Sequence, residues 1–305
     1  MNTAISISEY ASVGTGTGLT VPTSTTIEAE AKRQVPARIG RAQLQAIAER
    51  LDATDRELLA LLAAHRYATT RQLAQITELS GQYGSARSAL RQTSRRLRRQ
   101  HGLGLVAHLA RRIGGTRAGS AGYVWYLTAA GQRLTSEGQG RGARRRFQEP
   151  SPLFLAHTLA ITQARVVIEQ AIHAVGGHLA RLRTEPACWR SYLGPAGQQL
   201  TLRPDLHAVV ASPHYDDHYF IEVDRDTENP ARVLAACQRY AAYYASGAEQ
   251  RACGVFPLVL WVVPSATRCQ QLRCVIASDQ RLPAALFAVI TNQQIGETIR
   301  NGVAA

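Results

Sequence analysis

Apolar positions recur first at helical and then at mixed helical and strand spacing, and the change divides the chain in two. Leu44, Ile47, Ala48 and Leu51 share a helix face and predict a helix over 41–50. Thr54-Asp55-Arg56-Glu57 has the form of a capping box and opens an apolar helix over 58–64. Thr69-Thr70-Arg71-Gln72 repeats the device ahead of a short helix ending near Ile76. After a glycine-containing turn at 81–84, a long helix is expected from Ser85 to about Gln100, with Ala86, Leu90, Thr93 and Leu97 toward the core. Two strand patterns follow at 105–112 and 123–127, joined by the glycine-rich loop 114–120, and a helix at 128–135 closes the unit.

The second half opens with a helical pattern over 153–175 and a strand over 178–188. Apolar runs at 206–210 and 219–223 flank the turn-like 212–217 and predict a hairpin. Asn229-Pro230 supplies an N-cap and a first-turn proline for a helix to about Ala245. Its expected buried stripe is Val233, Leu234, Cys237, Ala241 and Tyr244. The near-continuous apolar run 257–263 reads as a strand covered on both faces, followed by a helix at 267–277 and a strand at 286–291. The fold class is therefore α+β: an N-terminal winged helix-turn-helix domain (36–137) and a second, α/β domain (151–305). A Ser/Thr/Gly-rich segment, 1–35, is expected to be disordered, and 138–150 reads as a basic linker.

Charge sharpens this division. The 305 residues carry a formal net charge of +13, and between Gly84 and Arg146 fourteen arginines face a single acid, Glu137. Between Arg203 and Glu228 the sign reverses, with seven acids against two arginines. A basic half beside an acidic pocket suggests a polyanion-binding module joined to a metal-binding one. On the long helix Arg87, Arg91, Gln92, Arg95 and Arg98 fall at the position that enters a major groove, with Arg111, Arg112 and Arg117 on or beside the wing. Double-stranded DNA is the expected partner, the alternative being a basic face that is merely solvated. No run approaches the ~18–20 apolar residues of a membrane span, and no signal peptide is evident, so a cytoplasmic location without membrane attachment is expected. The five cysteines (188, 237, 253, 269 and 274) form no Cys-x-x-Cys pair and read as reduced, buried thiols. A P-loop is missing, which argues against an ATPase.

Candidate chemistry centres on Arg203-Pro204-Asp205 and Ile221-Glu222-Val223-Asp224. In the hairpin Asp205 comes near Glu222 and Asp224, which are two apart and share a strand face. Three carboxylates together repel unless a cation lies between them, and Mg²⁺ or Mn²⁺ is the expected one. The alternative is a solvated acidic edge. His157, alone on an apolar helix face, reads as a hydrogen-bonded core residue, and Tyr240, Tyr243 and Tyr244 as packing.

The order helix, three strands, helix, strand, helix, strand resembles the core of restriction-endonuclease-like nucleases. There an Asp on the second strand and a Glu-x-Lys on the third hold Mg²⁺ and activate water. Asp205, preceded by Pro204, matches the first acid and Glu222 the second, while Asp224 stands where the lysine belongs. Arg225, Arg232 or Arg239 is the expected source of the missing cation. Gln238 with Tyr243 is similar to a Gln-plus-Tyr helix of some such nucleases. With Phe154-x-x-His157, the run from Glu222 to Glu228 and Tyr240-Ala-Ala-Tyr243-Tyr244, the chain over roughly 45–265 resembles the replication-relaxation family of plasmid and integrative elements. The resemblance implies a relaxase-like, metal-dependent DNA-nicking protein of replication or mobilisation, with catalytic and metal roles for Asp205, Glu222 and Asp224. Its alternative is a non-catalytic DNA-binding factor whose degenerate nuclease fold serves homodimer formation or contacts with relaxosome or replication proteins.

Overall fold

The computed structural model describes residues 39–81, 83–109, 122–136, 148–212 and 215–302. The tail 1–35, the loop 114–120 with Arg111, Arg112 and Arg117, and most of the linker lie outside the described residues.

The first region has helices α1 (Arg41–Glu49), α2 (Ala53–His65), α3 (Thr70–Glu78) and α4 (Ala86–Gly102), and closes with α5 (Ala129–Ser136). Strands β1 (Ala68–Thr69), β2 (Val106–His108) and β3 (Val124–Leu127) form an antiparallel sheet in the order β1-β3-β2. The box that opens α2 is set two residues earlier than the sequence suggests. Asp52 is the N-cap, accepting from the Asp55 backbone N–H at 2.9 Å, and the Asp55 carboxylate reaches back to the Asp52 N–H at 3.3 Å. Aspartate caps as well as threonine, so either register satisfied the same pattern. The Thr69–Gln72 box at α3 is as expected. Gly131 in α5 is required by close approach: a Cβ there would collide with the Leu105 carbonyl oxygen.

In the second region a mixed five-stranded sheet runs in the order β10-β9-β8-β7-β4. Its strands are β4 (His178–Thr184), β7 (Leu206–Ala211), β8 (Asp216–Val223), β9 (Leu258–Val263) and β10 (Phe287–Thr291). β8, β9 and β10 are mutually parallel, and β4, β7 and β8 pair antiparallel. Helix α6 (Pro152–His173) and α10 (Ile295–Asn301) cover one face, burying Ile161, Ile168, Ile295 and Ile299 on Leu206, Ile221, Leu260 and Val262. α7 (Pro230–Ser246) and α9 (Ala266–Ala277) cover the other with Val233, Cys237, Tyr240 and Leu272 on Phe220, Val259, Trp261 and Val263. Alternate residues of β9 thus point into two cores, which is why that run shows no polar face. A hairpin of β5 (Arg190–Leu193) and β6 (Gln199–Leu202), the short α8 (Ala248–Cys253) and α10 are additions to the predicted order.

The stripe of α7 differs from the expected one. Val233, Cys237, Tyr240 and Tyr243 are buried, while Tyr244 is exposed. Cys188, Cys237 and Cys269 are buried free thiols, and Cys253 and Cys274 are exposed ones. Among the described residues no helix is long and apolar enough to cross a membrane.

Candidate functional site

Helix α4 begins at Ser85, whose hydroxyl accepts from the Ser88 N–H at 3.2 Å. Its buried positions are Ala89, Thr93, Leu97 and Gln100, of which Thr93 and Leu97 are as expected, while Ala86 is exposed and Leu90 is 43% exposed. Thr93 meets Thr77 of α3 at 3.3 Å, and Gln100 donates to the Asp55 carbonyl at 3.1 Å, so polar side chains help fix the rotation of the helix. The four arginines read from the sequence as the outward face stand together, and packing ties down the other two of the helix. Arg96 bonds Asp52 (2.6 Å) and Asp55 (3.1 Å), and Arg99 also bonds Asp55. Arg87, Arg91, Arg95 and Arg98 remain exposed and, with Leu90 and Ser94, line one open recess. These four make no ion pair among the described residues. Gln92 is half-buried on the flank of that face.

The acid site lies at one end of the β7–β8 pair. Leu206 faces Ile221 in the register, which sets Asp205 and Glu222 against each other one step further on. Asp205 is buried; its Oδ2 accepts from the Val223 N–H at 2.8 Å and its Oδ1 meets His157 Nε2 of α6 at 3.1 Å. Half-buried Glu222 accepts from the Tyr240 hydroxyl at 2.6 Å. Burial, and then the neighbouring Asp205, push the Glu222 carboxyl well above the usual carboxylate range. The hydrogen bond to Asp205 raises His157 against the opposing effect of its burial. Burial raises the Tyr240 phenol well above its ordinary value, so it stays a donor.

Asp224 is differently placed. β8 ends at Val223, and the Asp224 carboxylate is held by Arg268 Nε of α9 at 2.6 Å, both side chains being buried. Arg268 also donates to the Glu228 carbonyl at 2.7 Å. The other Asp224 oxygen accepts from the N–H of Asp226, which sits at φ 60°, a left-handed conformation aspartate tolerates better than most residues. Among the described residues no group of three or more His, Cys, Asp or Glu is arranged to hold an ion. The acid cluster is therefore a pair, Asp205 and Glu222, beside an internal ion pair.

Three residues of this neighbourhood were not placed in it by sequence reasoning. His157 and Tyr240 were assigned to packing, though the revised α7 stripe through Val233, Cys237 and Tyr240 carries a signal for the second. Arg268 lies 44 residues beyond Asp224, and its pairing follows from tertiary packing alone. Gln238 bonds Asp279 and Tyr243 bonds Glu249, so neither is at the acid pair. Arg239, with Arg203, instead lines the cavity beside Glu222.

A family model described as replication-relaxation matches residues 59–259. No curated protein matches the chain. Two solved structures are similar at low level. Restriction endonuclease FokI shares 11% identity at a TM-score of 0.26, covering 90% of this chain and 75% of its own. The same endonuclease bound to DNA shares 10% at 0.25, covering 88% and 73%.

Proposed function

We propose a DNA-processing role for this chain, which belongs to the replication-relaxation family. In this reading α2, α3 and α4 with the β1-β3-β2 sheet act as a winged helix-turn-helix on duplex DNA. The five-stranded sheet and its helices act as a restriction-endonuclease-like core that nicks nearby DNA. The observation that carries it is the sorting of the α4 arginines: two serve the fold, and four stand free on one exposed face. Four unpaired guanidinium groups within three turns repel one another, and a row of phosphates is the partner that relieves this.

Asp205 and Glu222 fit a two-carboxylate site for Mg²⁺ or Mn²⁺, because two acids sharing a half-buried position are what a hard cation relieves. When bound, such an ion supplies a water of lowered pKa and neutralises charge developing on the phosphate. The chain's own residues then orient the ligands. The Val223 N–H and His157 fix Asp205, and Tyr240 fixes one oxygen of Glu222. In this arrangement Asp224 holds the strand end through Arg268 and does not replace the lysine of the nuclease pattern.

That last feature favours a second reading, a DNA-binding replication factor whose acid pair no longer cleaves. A nicking assay on supercoiled plasmid carrying the DNA that flanks the gene separates the two. Metal-dependent nicking by wild type, lost in EDTA and in Glu222→Ala, is expected for the enzyme. Binding of the same DNA with no nicking in Mg²⁺ or Mn²⁺ would establish the second.

A further inference from the structure

A cavity of about 280 Å³ opens beside Glu222, between β6, β8 and α7, and is lined by Thr201, Leu202, Arg203, Glu222, Arg239 and Tyr240 among others. Its inner wall is buried Leu202 and Tyr240 with half-buried Glu222, and its rim carries the exposed Arg203 and Arg239. Arg203 is held in place: its guanidinium lies 4.6 Å from the centroid of the Trp189 ring. Arg239 projects from the same α7 whose next residue, Tyr240, holds Glu222. Neither arginine makes an ion pair among the described residues, although Glu222 and Asp205 lie close by. The rim is thus cationic where the inner wall is acidic.

We propose that Arg203 and Arg239 form a phosphate clamp that seats a single nucleic-acid strand, by one phosphodiester, at the mouth of the Glu222 cavity. This deepens the proposed function by naming the strand form that the acid site takes. The cavity is too small for a base pair, being below the ~300–1,000 Å³ of ordinary ligand pockets, and admits a backbone phosphate or one nucleotide. Two guanidinium groups on one rim suit a phosphate, which accepts several N–H donors at once. Duplex held on α4 and a single strand held here are two different contacts, made by different arginines.

The test measures binding, in EDTA, of a fluorescent ten-residue oligothymidylate to full-length protein in an Arg91→Ala/Arg95→Ala background, which removes much of the α4 contribution. Adding Arg203→Ala and Arg239→Ala is expected to weaken binding tenfold or more. The slope of log affinity against log salt should flatten by about 0.7, the value for one neutralised phosphate on a single strand. Arg203→Lys with Arg239→Lys keeps the charge and should recover most of the affinity, which separates a clamp from a folding defect. Unchanged affinity and slope in the alanine variant would overturn the proposal, as would a loss that the lysines do not restore. Because no cleavage is measured, the clamp can stand with nicking absent, and nicking can be found with the clamp refuted.

Discussion

Removing the Arg268 guanidinium would leave Asp224 buried beside Asp226 and without its cation. Breaking one side of such a pair costs about 3–5 kcal/mol, so Arg268→Ala should lower the melting temperature sharply. Asp224→Asn should cost less, because no carboxylate is then stranded. If Asp224 were instead a ligand, Arg268→Ala would free its carboxylate and enlarge the Mn²⁺-induced rise in melting temperature. His65 provides a second residue-level expectation. It is buried, accepts from Arg165 at 3.1 Å, and burial pushes its pKa down to about 3 from the ordinary 6.5. Between those values the unfolded chain binds a proton that the fold refuses. Stability from His65 is therefore complete above about pH 6.5 and declines as pH falls toward 3, by at most about 1.4 kcal/mol per pH unit. His65→Gln should flatten that part of the stability–pH curve measured by denaturant titration.

At the scale of elements, the rotation of α4 decides which side chains serve the fold and which face outward. Leu97 is fully buried and Leu90 is 43% exposed, although both belonged to the stripe read from the sequence. Leu97→Ala should destabilise by about 2–5 kcal/mol, while Leu90→Ala should stay within about 0.5 kcal/mol, both by urea unfolding. On the outward face, Arg91→Ala with Arg95→Ala should weaken binding to any duplex and reduce the salt slope by about 1.8, leaving the melting temperature unchanged. A slope unaffected by the double substitution would remove α4 from the DNA interface. The error in the stripe has a physical source. Thr93 and Leu97 are inward as read, but the neighbours of α4 present Thr77 and Asp55, so Gln100 joins them by a hydrogen bond while Ala86 and Leu90 are left exposed. Helix α7 shows the same effect: Tyr240 is pulled in by Glu222, and Tyr244 is left outside.

Across the whole molecule, α6 joins what the sequence separates. Its first residue follows the linker, and one side packs on the five-stranded sheet. Elsewhere it meets the first region: Thr162 donates to the Tyr67 carbonyl at 3.3 Å, and the Leu159 carbonyl accepts from Gln72 at 2.9 Å. Thr184 of β4 adds a bond to the Ala64 carbonyl at 2.6 Å. Residues from Gly40 onward accordingly form one compact unit. Heat unfolding is expected to give a single transition by circular dichroism and by tryptophan fluorescence, since Trp125 reports the first region and Trp189 and Trp261 the second. Two separated transitions would show that α6 does not couple them. The same helix carries His157 to Asp205, so the basic region and the acid pair share one rigid element.

Local interactions made much of this legible beforehand. The Thr69 box, the Asn229 cap, the β7–β8 hairpin and the two-sided apolar run of β9 each depend on residues close in sequence, where periodicity and capping chemistry act directly. The pairing of Asp205 with Glu222 was legible for the same reason, one short turn separating their strands. The sequence by itself therefore determined the main helices and sheet strands, the charge division and the acid pair, but not the β5–β6 hairpin, α8 or α10. Only the tertiary structure decided that Arg96 and Arg99 are tied to Asp52 and Asp55, that Asp224 belongs to Arg268, and that His157 and Tyr240 hold the acids. Those assignments depend on which distant side chain arrives to satisfy a buried polar group, and that is set by how helices rotate and pack against a sheet, not by any spacing along the chain.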